Sequence, residues 1–255
     1  MIDIHCHILP SIDDGAKDNE MSIQMAKLAV DEGIDTIIAT PHHRNGHFEN
    51  DKSSIIQFVD DLNTLLDAEQ IPLTILPGQE TRIFGEMVDA YLDDELLSLN
   101  HLHQYLLVEL SSNHVPRYTQ RLFFNLQQQG ITPIIVHPER NTEINENPEI
   151  LYELVKQGAL TQVTASSITG HFGKNIQKIS IDLINHNLTH FVASDAHNTT
   201  TRPFRLREAY ETIEVECGQL NRFLLQENAE LVTRGKMPII DPPEMIKRKK
   251  FLGIF

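Results

Sequence analysis

The chain has 255 residues and a formal charge of −15, an acidic excess that repels a nucleic-acid backbone over most of its surface, so no nucleic-acid partner is expected. Its 40% hydrophobic content suffices for a packed core, but no apolar run approaches ~18 residues and Asp3 and His5 interrupt the apolar start, which argues against a membrane span or signal peptide. Two cysteines, Cys6 and Cys217, are too few for a disulfide scaffold and suit a reducing compartment, so a cytoplasmic location is expected.

Ile2-Asp3-Ile4 can extend as a strand and delivers His5 and His7 to one face of the extended backbone. Neutral imidazoles suit zinc, iron or manganese-like ions, and Asp13 or Asp14, on the turn that Gly15 relaxes, could add an oxygen. Asn19–Glu32 repeats Met21, Met25, Leu28 and Ala29 at helical spacing and stops at Gly33. Thr36–Thr40 is a β-branched run closed by Pro41 and followed by His42-His43, and Asp51–Glu69 is a long amphipathic helix. Leu73–Leu76 reads as a strand broken by Pro77-Gly78, with Glu80 next; Glu86–Leu97 can be helical, and Tyr105–Val108 is a strand ending on Glu109. The helix Arg117–Gln129 precedes the strand Thr132–Val136, whose exit is His137-Pro138-Glu139-Arg140. Further on come the helix Pro148–Gln157, the strand Leu160–Thr164, the helix Gly173–Asn185 and the strand His190–Ser194, which ends on Asp195-Ala196-His197. Helices over Pro203–Glu216 and Asn221–Val232 follow, with no linker composition between units.

Strands alternating with helices imply one α/β domain with a mostly parallel sheet that could close into a barrel, and active sites in such folds lie at the carboxyl ends of the strands. His5, His7, His42, Glu80, Glu109, His137, Asp195 and His197 all fall at or just after such ends. A structural accident would scatter them between strand starts, helices and loops, so a metal site is expected.

The motifs DIHCHILPSIDDGAK at 3–17, IIATPHH at 37–43, LPGQE at 76–80, LVEL at 107–110, VHPERN at 136–141 and FVASDAHN at 191–198 resemble the polymerase and histidinol phosphatase (PHP) superfamily. Within it they resemble the manganese-dependent bacterial tyrosine-protein phosphatases of capsule and exopolysaccharide synthesis. The resemblance implies a distorted seven-stranded, TIM-like (β/α)7 barrel over residues 1–241 holding three divalent ions, Mn2+ or Fe, Co, Mg or Zn in its place. His5, His7, Glu80 and Asp195 would hold one ion, Glu80, Glu109 and His137 a second, and Asp14, His42 and His197 a third. Asp13 and His43 would support the turn rather than ligate. Catalytic work is assigned to Arg140 with Glu80, His42 and His197.

For a phosphate monoester, metal-coordinated water is a nucleophile at neutral pH, a bridging hydroxide attacking phosphorus without a covalent enzyme intermediate. Arg140 sits at the same rim as His137 and can fork onto phosphate oxygens; an ion pair with Glu139 or Glu143 is the competing role. Arg44, Arg82 and Arg202 lie on other loops of that face. The expected substrate is a phosphotyrosine protein, above all a membrane-associated bacterial tyrosine kinase. A small-molecule phosphomonoesterase acting on histidinol phosphate or a nucleotide, and a metal-binding scaffold without turnover, are the alternatives. A cysteine phosphatase is excluded, since C-x5-R would put Arg where Ile12 and Phe223 stand. The tail, 242–255, breaks with the acidic body: the basic Lys247–Lys250 precedes Phe251, Leu252, Ile254 and Phe255, so it either docks on the body or contacts anionic lipid. Self-association is left open.

Overall fold

The computed structural model describes residues 1–247, so most of the basic and apolar tail singled out above lies outside the described residues. β1 (Ile2–Cys6) leads to α1 (Asn19–Asp31), whose first turn is capped by the Asp18 carboxylate accepting from the Met21 N–H at 2.8 Å. β2 (Thr36–Ala39) and β3 (His42–His43) precede α2 (Lys52–Ala68); β4 (Thr74–Pro77) and β5 (Glu80–Arg82) precede α3 (Met87–Leu92). After these come β6 (Tyr105–Glu109), α4 (Thr119–Gln128), β7 (Thr132–Val136), α5 (Thr142–Glu146), α6 (Glu149–Lys156) and β8 (Leu160–Thr164). The last elements are α7 (Ala165–Ile168), α8 (Lys174–Asn185), β9 (Phe191–Ala193), α9 (Leu206–Cys217) and α10 (Gln219–Thr233).

Every ladder is parallel, in two sheets ordered β1-β2-β4 and β3-β5-β6-β7-β8-β9. The strands read over Thr36–Thr40 and Leu73–Leu76 correspond to β2 and β4, and each is followed by a second short strand that the sequence did not show. Pro41 has no N–H to give, and the Pro77-Gly78 pair interrupts the next strand, yet the chain re-enters hydrogen bonding as β3 and β5 in the neighbouring sheet. His42 and Glu80 consequently lie inside short strands, paired directly with each other, rather than in loops. These successive strands join the two sheets on one side. On the other side the β1/β9 seam carries one isolated bridge, Cys6 to Ala196, with Asp195 N–H donating to His5 O at 2.9 Å and His7 N–H to Ala196 O at 2.9 Å. The result is a distorted (β/α) barrel.

Alternate strand residues face opposite ways. Ile4, Ile38, Leu107, Ile134, Val136, Leu160 and Phe191 fill the barrel, with Ala229 and Val232 of α10 packed among them. Ile37, Ile75, Leu106, Val108, Ile135, Val163 and Val192 belong to the layer under the helices. Burial on both sides explains why these strands read as unbroken apolar runs.

The expected helix over Glu86–Leu97 stops at Leu92, where Asp94 turns left-handed with φ 63°. α5 and α7 were not expected; four or five residues carry no periodicity to read. Beyond α10 the chain lies along the body, with Ile239 N–H donating to Asn228 Oδ1 at 2.7 Å and Glu244 N–H to His186 O at 2.8 Å. Among the described residues no helix is long and apolar enough to cross a membrane.

Candidate metal centre

β1 brings His5 and His7 to the carboxyl end of the barrel with both rings buried and their Nε2 atoms 3.3 Å apart. The next turn folds back on them. A Cβ on Gly15 would lie 2.1 Å from the carbonyl oxygen of His7, so only glycine allows that approach. The turn places the Asp13 carboxylate 2.7 Å from His7 Nδ1 and lets it accept from the Gly15 N–H at 2.9 Å and the His42 N–H at 3.2 Å. Asp13 thus orients His7 and ties two loops, while its neighbour Asp14, half-exposed, sets Oδ1 3.4 Å from Nε2 of both His42 and His197.

Glu80, fully buried, stands at the middle. Its Oε2 is 2.8 Å from His42 Nδ1, 3.3 Å from His7 Nε2 and 3.4 Å from His5 Nε2, and its Oε1 is 2.8 Å from His137 Nε2. Glu109 reaches His42 Nδ1 at 3.9 Å, and Asp195 Oδ1 lies 3.4 Å from His7 Nε2 and 3.6 Å from His5 Nε2. His137 and Asp195 both adopt left-handed backbone, φ 37° and 53°, a conformation costly for residues other than glycine and one found where a site needs a side chain re-aimed.

Three overlapping groups have ligand atoms within 4.8 Å of one another: His7, Asp14, His42 and His197; His5, His7 and Glu80; His42, Glu80 and Glu109. Seven of the nine residues expected to hold metal fall in these groups, His7, His42 and Glu80 each in two of them, while His137 adjoins through Glu80 and Asp195 through His5 and His7. His42 Nδ1, His197 Nε2, Glu80 Oε2 and Glu109 Oε2 are buried with no hydrogen-bond partner, even though His42 Nδ1 and Glu80 Oε2 are 2.8 Å apart. Buried polar atoms that converge without bonding one another are what donors to a shared cation look like, and the imidazole and carboxylate set suits divalent transition ions. The residues fit the group.

The electrostatics agree. Burial alone would drive the His7 pKa down, but the Asp13 charge carries it well above the ordinary value. Burial likewise opposes the charge of Glu80 at His42, which ends up at about 9. Burial raises Glu109, with the Glu80 charge beside it, to about 7. Burial lowers His137 to about 4, helped by Arg140, and His197 to about 4, helped by His7. Packed carboxylates therefore demand positive charge, which protons on His7 and His42 or bound cations can supply.

A cavity of about 260 Å³ opens beside this cluster, lined among others by His42, Glu109, Ser111, Ser112, Arg140 and Arg202. Arg140 pairs with neither Glu139 nor Glu143: its Nη2 lies 2.9 Å from Asp195 Oδ2. Glu139 instead accepts from the Thr164 N–H at 3.0 Å and the Ser167 hydroxyl at 2.6 Å, and Glu143 accepts from the Val115 N–H. Arg202 donates to both oxygens of Asp195 at 3.2 and 3.1 Å, and Arg82 lies 3.1 Å from Glu109. Arg44 is engaged by Glu95 at 2.7 Å and stacks over Phe84. Sequence reasoning missed Gln162, whose Oε1 is 2.8 Å from His5 Nδ1, and Asp3, which bonds Ser194 across the seam. The signal for Gln162 was a polar amide inside the apolar strand LTQVT.

The chain as a whole is similar to known proteins. The family model described as capsular polysaccharide synthesis, CpsB/CapC, matches residues 1–234. Tyrosine-protein phosphatase YwqE of Bacillus subtilis is 51% identical over 255 residues, all of both chains, and the putative tyrosine-protein phosphatase CapC of Staphylococcus aureus is 39% identical over 257 residues, again spanning both. Among solved structures, one described with YwqE from B. subtilis and CpsB from Streptococcus pneumoniae as unique metal-dependent tyrosine phosphatases superposes with a TM-score of 0.95 at 51% identity, covering 97% of this chain and 100% of the other.

Proposed function

The chain belongs to the CpsB/CapC family of capsular polysaccharide synthesis proteins, and from that premise we propose that it is a metal-dependent protein-tyrosine phosphatase whose phosphate site is the arginine-rimmed cavity beside the histidine and carboxylate cluster. The observation that carries this is the convergence of three ligand groups on Glu80, His7 and His42 next to Arg140. His5, His7, Glu80 and Asp195 would hold one divalent ion, Glu80, Glu109 and His137 a second, and Asp14, His42 and His197 a third, manganese being the expected metal. When bound, such ions supply positive charge against the phosphoryl oxygens and a nucleophile active at neutral pH.

The chain's own residues do the rest. Glu80 presents Oε2 toward His5, His7 and His42 and Oε1 toward His137, so its carboxylate would be shared between the first two sites. Asp13 holds the His7 ring so that Nε2 faces Glu80 and Asp195. Arg140 and Arg202 present forked N–H groups at the cavity mouth, suited to two phosphate oxygens. The Ser111 and Ser112 wall gives the remaining ester room without a further charge. A tyrosine leaving group has a conjugate acid with pKa ~10 and needs less protonation than an alkoxide.

The substrate is a phosphotyrosine protein, with a membrane-associated tyrosine kinase of capsule or exopolysaccharide synthesis as the intended partner, and the reaction takes place in the cytoplasm. Residues 1–241 form the phosphatase domain and 242–255 its tail. Phosphate release tests the function: chelator-stripped protein with added manganese should hydrolyse a phosphotyrosine peptide at least ~10-fold faster than a phosphoserine peptide, histidinol phosphate or single-stranded DNA, a difference of about 1.4 kcal/mol at the barrier. Preference for histidinol phosphate would favour the small-molecule phosphomonoesterase, and no turnover on any substrate would leave a metal-binding scaffold.

A further inference from the structure

β8 is the barrel strand whose end offers no metal ligand, yet its central residue reaches the cluster. Gln162 is fully buried, in register with Val136 and Phe191, and its backbone oxygen accepts from the His137 N–H at 2.7 Å. Its side-chain Oε1 lies 2.8 Å from Nδ1 of His5. We infer that Gln162 is the positioning residue of His5, its side-chain carbonyl fixing the proton on Nδ1 so that the Nε2 lone pair faces a cation. The inference rests on the metal-centre reading given above.

A carbonyl oxygen only accepts, so the ring atom facing it must be N–H, and in a neutral imidazole the other nitrogen then carries the lone pair. That other nitrogen, Nε2, is 3.3 Å from His7 Nε2, 3.4 Å from Glu80 Oε2 and 3.6 Å from Asp195 Oδ1. A lone pair aimed at two carboxylates is repulsive unless a cation stands among them. The opposite tautomer would give a hydrogen bond to a carboxylate but press the Nδ1 lone pair onto the Gln162 carbonyl. Gln162 Nε2 is buried without a partner, so the amide leaves its own N–H groups unpaired while its oxygen meets His5. The two histidines of one motif are thus oriented differently, His7 by the Asp13 carboxylate and His5 by a neutral amide that adds no charge to a crowded acidic centre. Ligand orientation by such partners commonly governs metal affinity.

The test is manganese titration of chelator-stripped protein, following the electron paramagnetic resonance of the free ion. Gln162→Met keeps the side-chain length without the acceptor and should weaken at least one site ~10- to 100-fold, whereas Gln162→Glu restores an acceptor and should recover affinity to within ~3-fold of wild type. A merely structural role would not be rescued by a buried charge. Wild-type affinity in Gln162→Met, or a Gln162→Glu variant as weak as Gln162→Met, would overturn the inference. Nitrogen-15 correlation spectra of the wild-type rings need no variant: His5 protonated on Nδ1 supports the assignment, and a neutral His5 protonated on Nε2 refutes it. A wild-type chain that takes up no manganese would instead overturn the metal-centre reading, before any substitution is made.

Discussion

Arg140 lies beside the ligands without being one, because a guanidinium has no lone pair to offer a cation. Asp195 carries two guanidiniums, Arg140 at 2.9 Å and Arg202 at 3.1 Å, so removing one leaves its charge still paired. Arg140→Ala should therefore retain its metal, bind inorganic phosphate more weakly and lose ten to a few thousandfold in kcat/KM, from one or two charge-assisted hydrogen bonds of ~1.5 to 3 kcal/mol each. Arg140→Lys should recover part of the loss, since an ammonium lacks the planar fork. Metal analysis and kinetics on a phosphotyrosine peptide check this; loss of metal, or full activity, would make Arg140 a structural partner of Asp195. At this scale the ligand types were legible because His, Asp and Glu at apolar strand ends stand out in the sequence. Gln162 and Asp3 were not, because an uncharged amide within a strand and an acid at a strand start carry meaning only once their partners are known.

The strands that carry four of the nine ligands meet at a seam with almost no ladder, and a side chain does the work of backbone pairing there. Asp3, fully buried on β1, accepts from the Ser194 N–H at 3.0 Å and from the Ser194 hydroxyl beside Asp195. Asp3→Ala strands both donors and should lower the stability of metal-stripped protein by ~1 to 3 kcal/mol in urea denaturation. Stability within ~0.5 kcal/mol of wild type would show that the seam does not depend on Asp3. Strand positions were readable from apolar runs bounded by Pro and Gly, and the order of elements follows from them. That β2 and β4 resume as β3 and β5 was not readable, because a two- or three-residue strand is specified by its neighbour in the sheet rather than by its own pattern. α7 is similarly non-local, its start held by Glu139 from another loop.

The whole molecule buries titratable groups at both ends of the barrel, and its stability should follow pH accordingly. His190 sits just before β9, at the opposite end of that strand from Asp195, accepting the Thr161 N–H at 3.1 Å, and burial lowers its pKa from 6.5 to about 4. Between those values the unfolded chain holds the proton and the folded one does not, so stability falls as pH drops through that window. Asp3 works against it, since burial raises its pKa from 3.8 to about 6 and the folded state then binds the extra proton. A His190→Asn variant separates the two: the stability difference from wild type should narrow by about 2 kcal/mol between pH 7 and pH 5, and an unchanged difference would mean that His190 is not neutral in the fold.

The central claim, that nine residues from six strand ends and one turn form a single centre for three catalytic cations, is tested most directly by anomalous scattering at the manganese edge from crystals grown with the metal. The proposed assignment predicts three peaks, each in contact with its own share of His5, His7, Asp14, His42, Glu80, Glu109, His137, Asp195 and His197, with Glu80 touching two of them. A single peak, or peaks away from Glu80, would contradict it.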